Sequence, residues 1–246
     1  MSYIRVHPGI DRLSAVAAEI IVDKLERAQV DHPRATIALS GGATPRKLYA
    51  DLGRHPWRER IDWRRLHVFV VDERFVPPED DESNQRMIRE TLLATSPLPE
   101  QNFHPIPFIV NQPDRAARDY EQELVAFFGR DGVPSMDVAL MGMGPDGHTA
   151  SLFPGTRAVE IKDRWVAATI NPSGPSHRIT LTLPVINASR TVVYLVTGAD
   201  KAETLRLIIE EQPLAFPTSH VNPSSGDLIW LLDSAAASKL RDQPTG

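Results

Sequence analysis

The sequence predicts an α/β fold, a three-layer sandwich whose mostly parallel, Rossmann-like central sheet is covered by helices on both faces. Two observations predict it. Short apolar runs alternate along the chain with stretches of helical period. Several of those runs are apolar throughout, as expected for strands buried on both faces under helices. With 246 residues and 41% hydrophobic content, the chain is long enough for one sizeable core, so residues 1–246 are expected to form a single domain.

The elements follow in order. Residues 12–28 carry Leu13, Val16, Ala17, Ile20, Ile21 and Leu25 on one helical face. Residues 36–39 read as a buried strand entering the glycine pair Gly41-Gly42. Thr44 and Pro45 suit the N-cap and first position of a helix to about Leu52. A second strand, 66–71, closes on Asp72-Glu73-Arg74. Helices are expected at 82–93 and 114–128, with 103–113 as a surface connection between them. A third strand, 136–141, ends in glycines, and a short helix is expected from Asp146 to Leu152. Strands at 165–170, 179–183 and 192–197 precede a helix at 201–209. The series ends in a strand at 228–232 and a short helix at 234–240.

Composition removes several functions. The net charge is −5, and the one arginine cluster, Arg58, Arg60, Arg64 and Arg65, reads as a solvated loop rather than a nucleic-acid patch. There is no cysteine, hence no disulfide, thiolate nucleophile or Cys-ligated zinc. No apolar run reaches the ~18 residues of a membrane span, and residues 1–10 lack the pattern of a signal peptide. The expectation is a cytoplasmic protein, a monomer or small homo-oligomer, that binds neither nucleic acid nor membrane.

In an open parallel sheet, ligands bind beyond the carboxyl ends of the strands. Four strand ends stand out. At Ser40-Gly41-Gly42-Ala43-Thr44, glycines and a helix start can present backbone N–H groups to an anion, with Ser40 and Thr44 adding hydroxyls. The same spacing also suits an ordinary tight turn. Asp72-Glu73-Arg74 puts three charges at a buried strand end, and Arg74 can grip a phosphate with two prongs. Gly142-Met143-Gly144-Pro145-Asp146-Gly147-His148 contains a G-x-G-x-x-G string. Its late position and the stiffening Pro145 argue against a dinucleotide loop. The imidazole of His148 can instead take a proton from water, with Asp146 capping the helix or orienting a neighbour. Finally, Arg178 precedes a strand, and Lys201 sits in the first turn of a helix, where a cation opposes the helix dipole unless an anion answers it. A surface lysine is the alternative reading.

These segments together resemble the 6-phosphogluconolactonases. The shared pattern runs through Ser40-Gly41-Gly42-x-Thr44-Pro45, Asp72-Glu73-Arg74, Gly142-x-Gly144-x-Asp146-Gly147-His148-x-Ala150-Ser151-x-Phe153-Pro154-Gly155, His177-Arg178-Ile179-Thr180, Gly198-x-x-Lys201 and Trp230-Leu231-Leu232-Asp233. The resemblance implies hydrolysis of 6-phospho-D-glucono-1,5-lactone to 6-phosphogluconate, the second step of the oxidative pentose phosphate pathway. It implies no metal and no cofactor. His148 and Asp72 are the expected catalytic residues. Ser40, Gly41, Gly42, Thr44, Arg74, Gly144, Asp146, Arg178 and Lys201 are expected to bind substrate. Asp72 is expected to order the pocket, through His148 or through a sugar hydroxyl. The alternatives are a glucosamine-6-phosphate isomerase/deaminase and a sugar-phosphate sensor that does not turn over. The isomerase branch needs a glutamate where Phe153 stands, and it carries Asp-Glu-Tyr where this chain has Asp-Glu-Arg.

Overall fold

The computed structural model describes residues 2–174 and 176–241. Among the described residues there are ten strands and six α-helices, with β2, β3, β6, β7, β8, β9 and β10 and helices α1, α2, α4 and α6 where the apolar pattern predicts them. The strands are β1 (Ser2–His7), β2 (Ala35–Leu39), β3 (Leu66–Val70), β4 (Asp72–Arg74), β5 (Phe103–His104), β6 (Val138–Met141), β7 (Val166–Ile170), β8 (His177–Leu181), β9 (Thr191–Val196) and β10 (Asp227–Asp233). The helices are α1 (Ile10–Asp31), α2 (Thr44–Leu52), α3 (Asn84–Ile88), α4 (Pro113–Phe128), α5 (Leu183–Ala188) and α6 (Ala202–Glu210).

Seven strands form the central sheet in the order β1-β10-β9-β6-β2-β3-β5, all parallel and flanked by helices. Every residue of β2, β6 and β9 is buried, which explains why these strands read as continuous apolar runs. The first helix buries Leu13, Val16, Ala17, Ile20, Ile21 and Leu25, the face its periodicity marks. Arg60 of the arginine cluster pairs with Asp23 and Glu26 of α1, and Arg65 donates to the Gln29 carbonyl at 2.6 Å. Those two charges therefore tie a loop to a helix. Among the described residues no helix is long and apolar enough to cross a membrane.

Beyond an unexpected helix α5 and an expected helix at 82–93 that is α-helical only over Asn84–Ile88, the main departures from expectation in the fold are four. First, β4, β8 and β7 leave the central sheet for a separate antiparallel one, in that order. The expected strand at 66–71 breaks at Val71. Its N–H donates to the Leu39 carbonyl in the central sheet, and its carbonyl accepts from Leu181 N–H in the small sheet. Second, β1 and β5 have no counterpart in the sequence reading. Both are sheet edges: β1 is only partly buried, with Ser2 and Arg5 exposed, and β5 spans only two residues, too short for a periodic signal. Third, residues 146–152 are not helical. Gly147 (φ 77°) and Ala150 (φ 50°) are left-handed, and Gly144 N–H closes a turn on the His148 carbonyl at 2.9 Å. Fourth, residues 234–240 form successive turns rather than a helix. The Asp233 carboxylate takes the Ala236 N–H (2.7 Å) and also that of Gly198 (3.1 Å), which ties the segment to the end of β9.

A polar relay lies under the β3–β5 edge. His67 Nδ1 is 2.9 Å from His104 Nε2, and His104 Nδ1 is 2.7 Å from Glu123 of α4. The His104 ring stacks on Phe69 at 4.3 Å. Burial, with His104 and Arg34 nearby, pushes His67 down to about 4. The native state thus binds fewer protons than the unfolded chain between pH 6.5 and 4, so stability should fall as pH drops through that window. After allowance for solvent screening we expect a loss of about 1–2 kcal/mol. His67→Phe should flatten that part of the Tm–pH profile relative to the native chain; parallel profiles would contradict the assignment.

Candidate active site

A cleft of about 480 Å³ opens at the carboxyl ends of β2, β6 and β9, where the parallel topology puts binding sites. Ser40, Gly41, Gly42, Thr44, Asp72, Arg74, Gly144, His148, Arg178 and Lys201 all line it. Asp146 does not; it stands beside His148 rather than on the cleft wall.

The glycine loop comes first. Gly42 has φ 101°, a conformation a side chain resists. Gly41 is packed so closely that a Cβ there would overlap the Asn84 side chain. The helix begins one residue earlier in register than expected: Ala43 is the N-cap, and no side chain caps it. Thr44 is therefore free of the capping role read from sequence, and its hydroxyl lies 2.9 Å from that of Thr197. Lys201 Nζ reaches the Thr197 carbonyl (3.1 Å) and the Asp200 carboxylate (3.0 Å), so its charge is partly answered within the protein.

The switch at Val71 delivers the next group. Asp72 is buried, and its Oδ2 accepts from Ser151 Oγ at 2.7 Å. It makes no hydrogen bond to His148, so one of its two expected routes of action is not the one seen. Glu73 points away from the cleft and is fully enclosed. It accepts from Arg74 N (2.8 Å), Asn84 N (2.7 Å), Gln85 N (2.8 Å) and Ser83 Oγ (3.1 Å). Burial raises its carboxyl above the usual range, while those N–H groups pull the other way. Glu73 thereby fixes the start of α3, and Asn84 Nδ2 bonds back to the Asp72 carbonyl at 2.8 Å.

Register then sets two arginines face to face. Arg74 pairs directly with Arg178 across the antiparallel β4–β8 ladder, an arrangement that like charges disfavour. Arg74 donates to the Glu82 carbonyl at 2.7 Å. Arg178 Nη1 is buried and has no hydrogen-bond partner among the described residues. Burial and the neighbouring Arg74 lower its affinity for a proton. A buried, unpartnered guanidinium N–H opposite a second arginine calls for an anion.

His148 completes the site. Its Nδ1 is 2.5 Å from Asp146 Oδ1, and the same oxygen accepts the His148 backbone N–H at 3.2 Å. Its ring centroid lies 4.8 Å from that of Phe153. A Cβ at Gly144 would overlap the imidazole, so only glycine admits this ring position.

A sequence model of glucosamine-6-phosphate isomerases/6-phosphogluconolactonase matches residues 9–230. The chain belongs to that family. Within it, a 6-phosphogluconolactonase of Nostoc sp. is 39% identical, covering 96% of this chain and 98% of its own. One from Synechocystis sp. is 41% identical over 90% of this chain and 91% of its own. The solved structure of 6-phosphogluconolactonase from Trypanosoma cruzi superposes with a TM-score of 0.86 at 30% identity, covering 98% of both chains.

Sequence reasoning about the family site missed Asn84, Asn171 and Thr197, which also line the cleft. None lies in a glycine or charged motif. Asn84 is nevertheless signalled by Ser83, whose hydroxyl accepts from Arg86 N (3.2 Å) and caps α3. Because Gly41 and Asn84 occupy adjoining space, Gly41→Ala should destabilise by about 1–3 kcal/mol. In an Asn84→Ala background the same change should cost distinctly less. Additive losses in a double-mutant cycle of urea unfolding would refute the contact.

Proposed function

We propose that the chain hydrolyses 6-phospho-D-glucono-1,5-lactone to 6-phosphogluconate, with His148 as general base. The observation that carries this is the His148–Asp146 contact beside a paired-arginine anion site. With Nδ1–H donated to Asp146, the imidazole keeps its Nε2 lone pair for the cleft, the state a base requires. His148 Nε2 takes a proton as a water oxygen bonds to the lactone carbonyl carbon. The tetrahedral oxyanion collapses, the ring C–O bond breaks, and the imidazolium returns the proton to the departing ring oxygen. Arg74, Arg178 and Lys201, with the N–H groups of the glycine loop, supply the positive field for the phosphate and the oxyanion. Asp72, held by Ser151, is placed to accept from a sugar hydroxyl. The family's sister reaction needs a carboxyl at a position held here by Phe153. A phenyl ring carries no proton, which supports the hydrolase.

The reading takes residues 1–246 as one catalytic domain, supported by a hydrophobic cluster that runs from Leu13 in α1 to Leu232 in β10. It also places the enzyme in the cytoplasm, since a charged sugar phosphate does not cross a membrane unaided and must be hydrolysed where it is made.

The test generates the lactone in place from glucose 6-phosphate with its dehydrogenase and compares its disappearance with the spontaneous rate. His148→Ala should lower kcat by ~10²–10⁴-fold with little change in KM. Arg178→Ala should chiefly raise KM. Normal turnover in His148→Ala would remove the base from the mechanism, and no acceleration by the folded native chain would remove the activity.

A further inference from the structure

The turn that carries His148 is held from outside by two threonines that the reaction itself does not use. The Gly147 carbonyl accepts two hydrogen bonds from one residue, Thr218: from its Oγ1 at 2.8 Å and from its N–H at 3.2 Å. Two residues earlier in the same turn, the Pro145 carbonyl accepts from Thr204 Oγ1 of α6 at 2.6 Å. Thr218 is buried to 1% exposure, and its neighbour Phe216 occupies the space a Cβ at Gly147 would need. The segment between α6 and β10 that presents Thr218 is itself moored. Asn187 Nδ2 donates to the His220 carbonyl (2.9 Å), and Asn222 N–H donates to Asn187 Oδ1 (2.8 Å).

The cleft side of the turn is fixed through Tyr194, whose hydroxyl also interacts with the Thr218 side chain, so Thr218 stands between the two anchors. Tyr194 of β9 donates to Thr149 Oγ1 at 3.0 Å, and Thr149 Oγ1 donates to the Gly142 carbonyl at 2.9 Å. Tyr194 is stacked on Trp230 at 4.2 Å, so that anchor belongs to the rigid sheet. The left-handed Gly147, by contrast, would be free to turn its peptide plane if its carbonyl were released. The imidazole sits on the very next residue. Rotation there would swing the ring away from Asp146, whose backbone and side-chain contacts to His148 share one oxygen.

We propose that Thr218, assisted by Thr204, is a positioning residue for His148: it locks the Gly147 carbonyl and so fixes the imidazole in its Asp146-bound orientation. The inference rests on His148 being the base. A displacement of about 1 Å at a reacting group can cost ~10²-fold in rate. Thr218→Val keeps the shape and removes only the hydroxyl.

The experiment measures kcat, KM and the pH–rate profile on the lactone for the native chain, Thr218→Val, Thr218→Ser, Thr204→Val, His148→Ala and Thr218→Val/His148→Ala. Thr218→Val should lower kcat by ~10–100-fold, leave KM within about twofold, and shift the acid limb of kcat/KM. Thr218→Ser should restore most of the rate, and Thr204→Val should give a smaller loss of the same kind. In the His148→Ala background Thr218→Val should cost nothing further. Full activity in Thr218→Val alongside a crippled His148→Ala would overturn the positioning role and leave the base intact. An equal loss in both backgrounds would show a purely structural effect and overturn it too. If Thr218→Val does not fold, an unchanged kcat and pH profile in Thr204→Val sinks the proposal. Unimpaired His148→Ala would remove the base, and the positioning role with it.

Discussion

The cleft depends on one backbone residue. Val71 donates to the central sheet through Leu39 and accepts from the small sheet through Leu181. At this point the chain abandons a parallel strand and begins an antiparallel one. Because the side chains of a strand alternate, the switch decides what each following residue faces. Asp72 meets Ser151 and the cleft, Glu73 turns into the protein beneath α3, and Arg74 stands opposite Arg178. A register slip of one residue would bury Arg74 and expose Glu73, so three consecutive charges reach three separate surroundings only through this junction.

The charge arrangement is that of a site an anion would complete. Two arginines directly across a ladder repel, and the buried Arg178 carries an N–H without a partner. Unfilled donors in a partly buried site are a standing free-energy cost. The enclosed Glu73 and the cleft-facing Asp72 offset part of it from below, since both carboxylates favour the charged form of Arg178. In the proposed reading a doubly charged phosphate removes the rest by taking the free N–H of Arg178. Lys201 differs, since Asp200 and the Thr197 carbonyl already engage it. The paired arginines therefore have more to gain from an anion than the lysine does.

Most strands were legible because burial on both faces leaves an uninterrupted apolar run, and α1 because one face repeats at helical spacing. Side-chain identity at strand ends was legible for the same topological reason: Ser40, Asp72, Gly144 and His148 each sit at or just past a buried run. What the sequence hides is long-range partnership. The His148–Asp146 pair is local and falls within the readings of Asp146, but nothing local marks that Asp72 bonds Ser151, that residues 146–152 turn instead of coiling, or that Thr44 bonds Thr197 rather than capping its helix. The helix reading of 146–152 failed because Gly147 and Ala150 adopt left-handed backbone that tertiary hydrogen bonds enforce. Thr218 lies far from any motif and becomes visible only when its hydroxyl is seen on the Gly147 carbonyl.

In the proposed reading, the ring beside His148 separates the two chemistries named in the family's description. Hydrolysis of a lactone needs a single group that takes a proton from water and gives one to the ring oxygen, so one well-oriented imidazole is sufficient. Isomerisation needs protons moved between carbon and oxygen at several centres, which calls for a second acid within reach. Phe153 fills that place with an apolar face 4.8 Å from the imidazole. It lowers the local polarity on one side of the ring while Asp146 anchors the other. An imidazole held between a carboxylate and a phenyl ring has few orientations open to it. Its freedom is then limited chiefly by the backbone of the turn on which it sits. That turn is where the chain places hydrogen bonds from α6 and from the segment before β10.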